Sequence, residues 1–237
     1  MRASYNRLLN TPPLAQGAVI GAPIEPEILD QYDVSIEHLV ARRQTLSLAY
    51  YVKQIHNQVD TGLFIPGSQI GLYSAVNLQF GAVHGIEFSY DLAAGKDKDN
   101  KTVGWDLSLN YTYSLAKPNG IDNTGADVPN FNDHDQTNTL GLDLGYNWTS
   151  GAAAGITISH GSGLASSPVP PGIHRIPRTQ IDIRVSSGPR LFHGHGSLNL
   201  IIQNLLDDRT VINFQSGFSG TRFMQARRIL VSVTGSF

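Results

Sequence analysis

Asp133-His134-Asp135 sets an imidazole between two carboxylates. Such a triplet could anchor a loop, meet a polar ligand or donate to a metal. His193-Gly194-His195 puts two imidazoles on one side of an extended segment. Zinc would need further ligands from Cys or a nearby carboxylate. The chain has no cysteine, and no carboxylate lies close to the histidine pair. A solvated polar turn is the simpler reading there, and neither metal nor cofactor is expected. Asp97 and Asp99 flank Lys98 ahead of Asn100. This turn lacks the glycine and closing glutamate of a calcium loop, so solvation is expected. At Asp133–Asp135 a loop anchor is the plainer role, and solute contact is the functional one. Gly161-Ser162-Gly163 reads as a flexible loop, and no serine stands in a nucleophile elbow. Catalysis would require a nucleophile and base within ~3 Å; with serines and aspartates scattered, enzymatic activity is not expected.

These residues fall between segments with a period of two, the signature of strands with one apolar and one polar face. In Trp105 to Leu115, Trp105, Leu107, Leu109, Tyr111, Tyr113 and Leu115 alternate with Asp106, Ser108, Asn110, Thr112 and Ser114. Leu140, Leu142, Leu144, Tyr146 and Trp148 repeat the pattern against Thr139, Asp143 and Asn147. From Val76 to Tyr90 the even positions are mostly apolar. Shorter members are centred on Val34, Leu48, Ile183 and Leu200, with a weaker one at Gly155–His160. At the end, Ile229, Val231, Val233 and Phe237 share one parity, and Ser232, Thr234 and Ser236 the other. Arg2–Leu9 fits least, because Arg7 falls on the parity of Ala3 and Tyr5. About ten strands are expected, at roughly the even spacing of an all-β sheet.

Composition narrows the class. The chain is 41% hydrophobic and only 15% charged, against about a quarter charged in globular proteins. A sheet that is apolar on alternate positions has this balance. A net charge of −2 with no basic run gives no argument for nucleic acid. No stretch approaches ~18 consecutive apolar residues, so no transmembrane helix is expected. The opening Met1–Arg7 has no apolar core of a signal peptide. The chain is therefore expected to be a mature form or a piece of a longer one.

Connections alternate in length. Long ones cover about 10–26, 60–74, 117–136, 161–177 and 207–225, and short ones lie near 41–43, 92–102, 149–154 and 187–195. A membrane β-barrel with long outer loops and short periplasmic turns has this rhythm. Trp105 and Trp148 would lie beside short turns, and Tyr111 and Tyr113 toward the long loops. At ~3.4 Å per residue and ~45° tilt, Trp105 and Tyr113 differ in height by roughly 19 Å, near the ~25 Å apolar band between aromatic girdles. A soluble antiparallel sheet shares the alternation, but has no reason to share the rhythm or the aromatic placement.

The residues also resemble a known family. Gln203-Asn204-Leu205-Leu206-Asp207-Asp208-Arg209, a loop, then Arg227-Arg228-Ile229-Leu230-Val231-Ser232-Val233 to a final Phe237 resembles the end of TonB-dependent outer-membrane receptors. Pro26-Glu27 before Tyr32–Glu37 resembles that family's start of a barrel strand. Gly85-Ile86-Glu87-Phe88, Asp133-His134-Asp135 before Thr139, and Arg178–Arg184 resemble further segments of it. The likeness runs over nearly the whole chain. It implies an all-β, antiparallel transmembrane β-barrel of about ten strands. That is half of the family's barrel of roughly 22 strands, or a reduced closed one. It implies one domain over residues 1–237, with the family's plug domain absent.

The function the resemblance implies is TonB-dependent uptake of a scarce solute (iron chelate, vitamin or glycan) across the bacterial outer membrane. Coupling to TonB would run only through the missing N-terminal plug. Outer-membrane lipid, a small solute and the barrel-assembly machinery are the implied partners, and Phe237 with Val233 and Val231 the implied assembly signal. Asp133, His134 and Asp135 are the candidate solute contacts. The alternatives are a passive pore or structural barrel, and an outer-membrane hydrolase.

Overall fold

The computed structural model describes residues 1–11, 24–61, 75–122, 135–164, 175–189, 195–214 and 221–235. Among them there is no helix. The strands are β1 (Arg2–Asn10), β2 (Glu27–Ala41), β3 (Gln44–Thr61), β4 (Ala75–Leu92), β5 (Gly95–Lys96), β6 (Thr102–Asp122), β7 (Asn138–Asn147), β8 (Ala153–Gly161), β9 (Arg178–Ser186), β10 (Gly196–Gln203), β11 (Val211–Phe214), β12 (Thr221–Phe223) and β13 (Arg228–Gly235). One antiparallel sheet runs in the order β1-β2-β3-β4-β6-β7-β8-β9-β10-β13. β5 hairpins onto β6, and β11 and β12 pair only with each other. Each long strand thus neighbours the next one in sequence, the order expected of an up-and-down wall.

Cross-strand register sorts the side chains into two faces. On one, Leu46, Tyr90, Leu109, Leu142, Ile158 and Ile181 stand opposite one another from β3 to β9. On the other, Ser47, Ser89, Asn110, Gly141, Ser159 and Gln180 form the adjacent row. The parities read from sequence are therefore in register across the wall. A slip of one residue anywhere would exchange the faces.

Among the described residues no second layer covers the apolar face. Among the described residues only Leu78, at 3% exposure, and Met224, at 7%, are buried apolar side chains. Ile36, Leu48, Ile86, Val185, Val231 and Val233 are all exposed. Among the described residues there is no dry interior of a sandwich, where such residues turn toward one another.

The sheet is open. β1 and β13 are its two edges and do not pair with each other. Of the two expected forms, the structure shows the partial wall, not the reduced closed barrel. β6 runs to Asp122, well past the end of its alternation at Leu115, because β4 pairs with it as far as Leu78 opposite Asp122. Backbone partners carry that extension where the side-chain pattern has lapsed. β1 forms despite Arg7. The guanidinium stands opposite Asp30 and pairs with it at 3.3 Å, while the Tyr5 hydroxyl donates to the same carboxylate at 2.6 Å. Tyr5 and Tyr32 pack beside them with ring centroids 5.1 Å apart.

The charged turn at Asp97–Asn100 closes the β5–β6 hairpin. Asp97 Oδ1 accepts from the backbone N–H of Asp99 at 2.9 Å and of Lys101 at 2.8 Å. The turn needs a left-handed residue, and Asn100 supplies it with φ 60°. Asp97 is thus a turn cap rather than merely solvated.

Candidate functional site

Two places gather polar chemistry: the polar face itself, and the rim where the long connections leave it. On the face, Asp143 of β7 is a carboxylate shared by two neighbouring strands. Arg184 of β9 reaches it with two N–H groups, Nη2 to Oδ1 at 2.6 Å and Nη1 to Oδ2 at 3.0 Å. The Thr157 hydroxyl of β8 donates to Oδ2 at 2.6 Å. Beside them, Asn147 Nδ2 donates to Asp106 at 2.7 Å, and Gln180 Nε2 donates to Asp182 at 2.9 Å. Toward β3, the Tyr51 hydroxyl donates to Ser114 Oγ at 3.2 Å, and Lys53 Nζ sits 5.2 Å from the Tyr51 ring centre. On this polar face Asp106, Asp143 and Arg184 are tied sideways into neighbouring strands.

At the rim, Asp135 is an anchor. Its carboxylate is 6% exposed and pairs with Arg175 at 3.0 Å, while the same guanidinium donates to Thr137 Oγ1 at 2.7 Å. Ser162 completes the tie: its Oγ accepts from Asn138 N at 3.0 Å, and its N–H donates to Asn138 O at 2.9 Å. The bases of two adjacent long connections, 123–137 and 162–177, are thereby joined. Asp133 and His134 lie outside the described residues.

The base of the last long connection is closed by Asn204. The Asn204 side chain is buried at 2% exposure. Its Nδ2 donates to the carbonyls of Asp208 at 2.8 Å and Gln225 at 2.7 Å, and its Oδ1 accepts from Asp208 N at 3.1 Å. Asn204 has φ 51° and Asp207 φ 52°, left-handed values that asparagine and aspartate tolerate best after glycine. The Asp207 carboxyl is held below the usual carboxylate range, first by the Arg227 backbone N–H at 2.8 Å and then by Arg209. Asp208 is held low mainly by the Thr210 hydroxyl.

Val231 and Val233 of β13 stand on the apolar face opposite Leu200 and Leu198. Phe237 lies outside the described residues, as does His193. His195 precedes β10, and among the described residues no group of three His, Asp or Glu side chains could hold a metal ion. Two histidines meet hydroxyls, His160 with Thr179 at 2.8 Å and His84 with Tyr50 at 3.5 Å. Both pairs lie on the apolar face, where they tie neighbouring strands. Sequence reasoning did not single out Arg184, Arg175 or the inward side chain of Asn204. The partners of the two arginines are 41 and 40 residues away, beyond any local pattern.

Comparison with known proteins agrees with this architecture. The chain matches the family described as TonB dependent receptor-like, beta-barrel over residues 1–205. No curated protein matches it. Among solved structures, a variant of the ferric enterobactin receptor PfeA from Pseudomonas aeruginosa is 19% identical, with TM-score 0.63, covering 99% of this chain and 38% of that one. The ferric-catecholate import receptor Fiu from Escherichia coli is 16% identical, with TM-score 0.69, covering 99% and 32%. The FrpB iron transporter from Neisseria meningitidis is 15% identical, with TM-score 0.67, covering 99% and 36%. At these identities the likeness shows a shared fold, and the chain spans about a third of each relative's length. With a two-faced up-and-down wall and a family match over most of its length, the chain belongs to the TonB-dependent receptor β-barrel family.

Proposed function

We propose that this chain is the C-terminal wall of an outer-membrane receptor for TonB-dependent uptake of a scarce solute, an iron chelate first. The observation that carries the reading is the two-faced single sheet. A wall apolar on one side, polar on the other and without a second layer suits lipid outside and water inside. Short turns then lie in the periplasm and long connections outside the cell.

The ion pair on the apolar face supports that placement. Asp30 is eleven residues above Ala41, the end of β2 at its short turn. At ~3.4 Å per residue and ~45° tilt that is roughly 26 Å, just past the ~25 Å apolar band. Arg7 and Asp30 would then sit among headgroups, with Tyr5 and Tyr32 at the interface below. At the other boundary Trp105, Tyr146 and Trp148 stack in series with centroids 4.8 and 4.9 Å apart, as an inner girdle would.

The iron chelate is suggested by the names of the similar structures, which are receptors and transporters of iron compounds. Residues 1–237 act as one barrel domain, and coupling to TonB runs through a plug domain outside those residues. Asp135 holds the rim, leaving Asp133 and His134 as solute contacts. Phe237, Val233 and Val231 are read by the barrel-assembly machinery.

The test is uptake of a labelled ferric catecholate by iron-starved cells producing the protein, with and without an uncoupler of the proton-motive force. Uptake that depends on the protein and stops with the uncoupler is expected. Passage that continues unchanged would overturn the reading in favour of a passive pore.

A further inference from the structure

Three glycines of the polar face are each covered by the residue directly opposite. Tyr51 of β3 lies over Gly85 of β4, Asp106 of β6 over Gly145 of β7, and Arg184 of β9 over Gly155 of β8. None of these glycines has a positive φ, so backbone freedom does not account for them. Space does. A Cβ on Gly85 would overlap the hydroxyl end of the Tyr51 ring. One on Gly145 would stand 2.7 Å from Asp106 Oδ2. One on Gly155 would stand 2.7 Å from Arg184 Nε and 3.0 Å from Cζ, closer than nonbonded atoms approach.

Lying down changes where these side chains end. Arg184 crosses the whole of β8 above Gly155 and meets Asp143 on β7. Tyr51 crosses β4 above Gly85 and meets Ser114 on β6. Asp106, being shorter, ends on β7 itself, at Asn147. Gly145 and Gly155 are themselves paired, so the floor between Asp106 and Arg184 is two glycines wide.

We propose that Gly85 and Gly155 are seats that set the clearance of the wall: by letting Tyr51 and Arg184 lie flat, they keep both side chains out of the lumen. The inference deepens the transport reading and rests on it for its consequence, since clearance and the position of a guanidinium bear on which solute can pass. The two seats differ in what yields. Over Gly155 the covering atoms are the far end of a flexible chain, and Arg184 is half-exposed. A methyl group there lifts the guanidinium at small cost and leaves the sheet intact. Over Gly85 a rigid ring must move as a whole, so the strand pair itself is disturbed.

The test is a double-mutant cycle, Asp143→Asn with Arg184→Gln, read by urea unfolding of the full chain in detergent micelles. A partly exposed bidentate pair couples by roughly threefold in the folding equilibrium. That coupling is expected with Gly155 in place and should fall to near unity on Gly155→Ala. Coupling that survives Gly155→Ala overturns the seat.

The second readout is ferric-catecholate uptake by cells producing the protein. Gly155→Ala should slow it severalfold, and adding Arg184→Ala should restore it by removing the lifted side chain. A glycine needed only for packing would not be rescued in this way, so absence of rescue overturns the clearance role. If the unsubstituted protein takes up no chelate, the transport reading and the clearance role fall together, while the unfolding cycle still decides whether the seat exists.

Discussion

Replacing Asn204 should damage the last hairpin more than any other single change on the described rim. Three side-chain hydrogen bonds close the neck there, to Asp208 O, Gln225 O and Asp208 N. Each is worth about 1 kcal/mol net, but a buried partner left alone costs about 1–3 kcal/mol. The site is closed, with Asn204 2% exposed, so water replaces the amide poorly. Asn204→Ala also places a Cβ residue without a compensating side-chain bond at φ 51°, for a further ~1–2 kcal/mol. With partial relaxation of the neck, the sum is about 3–5 kcal/mol. Asn204→Gly keeps the left-handed backbone and loses only the bonds, so it should fall about 1 kcal/mol short of the alanine variant.

Two measurements decide this. Urea unfolding in micelles gives the overall loss. A cross-link gives the local one, because the chain has no native cysteine. Ile201→Cys with Leu230→Cys places two thiols at directly opposed positions of β10 and β13, within disulfide reach. If Asn204 fixes the register of this hairpin, the cross-link should form readily in the otherwise native chain and lose yield with Asn204→Ala. A loss under about 1 kcal/mol with undiminished cross-linking would refute the reasoning.

Further outcomes follow from the same geometry. Asp207 and Asp208 are held below the usual carboxylate range, so their contribution is present above that range and lost as pH falls through their lowered values. Proteolysis of the 208–227 connection should therefore accelerate below about pH 4; an equal rate at neutral pH would count against the clamp. Leu142 stands mid-strand on the apolar face between Leu109 and Ile158. Leu142→Arg should cost about 2–4 kcal/mol of folding in bilayers. Gly141→Arg, one residue away on the polar face with nothing within 4 Å of its Cβ position, should cost far less, and equal losses would mean that the faces are misassigned. Deleting Phe237 should lower the inserted fraction in cells, seen as loss of the heat-modifiable band; unchanged insertion would remove it from the assembly signal.

The strands that were legible in sequence are those whose faces differ most. β6 and β7 could be read residue by residue because from Trp105 to Tyr113 and from Leu140 to Tyr146 each apolar position is followed by Ser, Thr, Asn, Asp or Gly. What escaped depends on partners outside the local window. Arg7 disturbs the pattern of β1 only until Asp30 is placed opposite it. The far end of β6 has no alternation and exists because β4 is long enough to pair with it. β5, β11 and β12 are two, four and three residues long, too short for a period to show. At the rim, Asp135 was readable as an anchor from its type and its loop, but not its partner Arg175, 40 residues on. Asn204 was noticed through its likeness to a family motif, whereas its chemistry emerged only when Gln225 was brought beside it.

The glycine seats explain why inspection of one strand at a time could not have found them. In sequence, Gly155 is only a weak position in the weakest of the interior strands, since glycine lowers strand propensity by losing a side chain. In the sheet the missing side chain belongs to a neighbour: the space over Gly155 is filled by Arg184, which uses it to reach Asp143. The local cost is offset by a bond spanning three strands. In a single-layer wall this matters more than it would in a globule. Among the described residues there is no second layer to press the strands into register, so lateral ties on the polar face must do so, helped on the other face by lipid if the proposed placement holds. Edges β1 and β13 have no such tie beyond them. In the proposed membrane setting such open backbone groups would have to be paired by other strands, which accords with a wall covering about a third of its relatives' length.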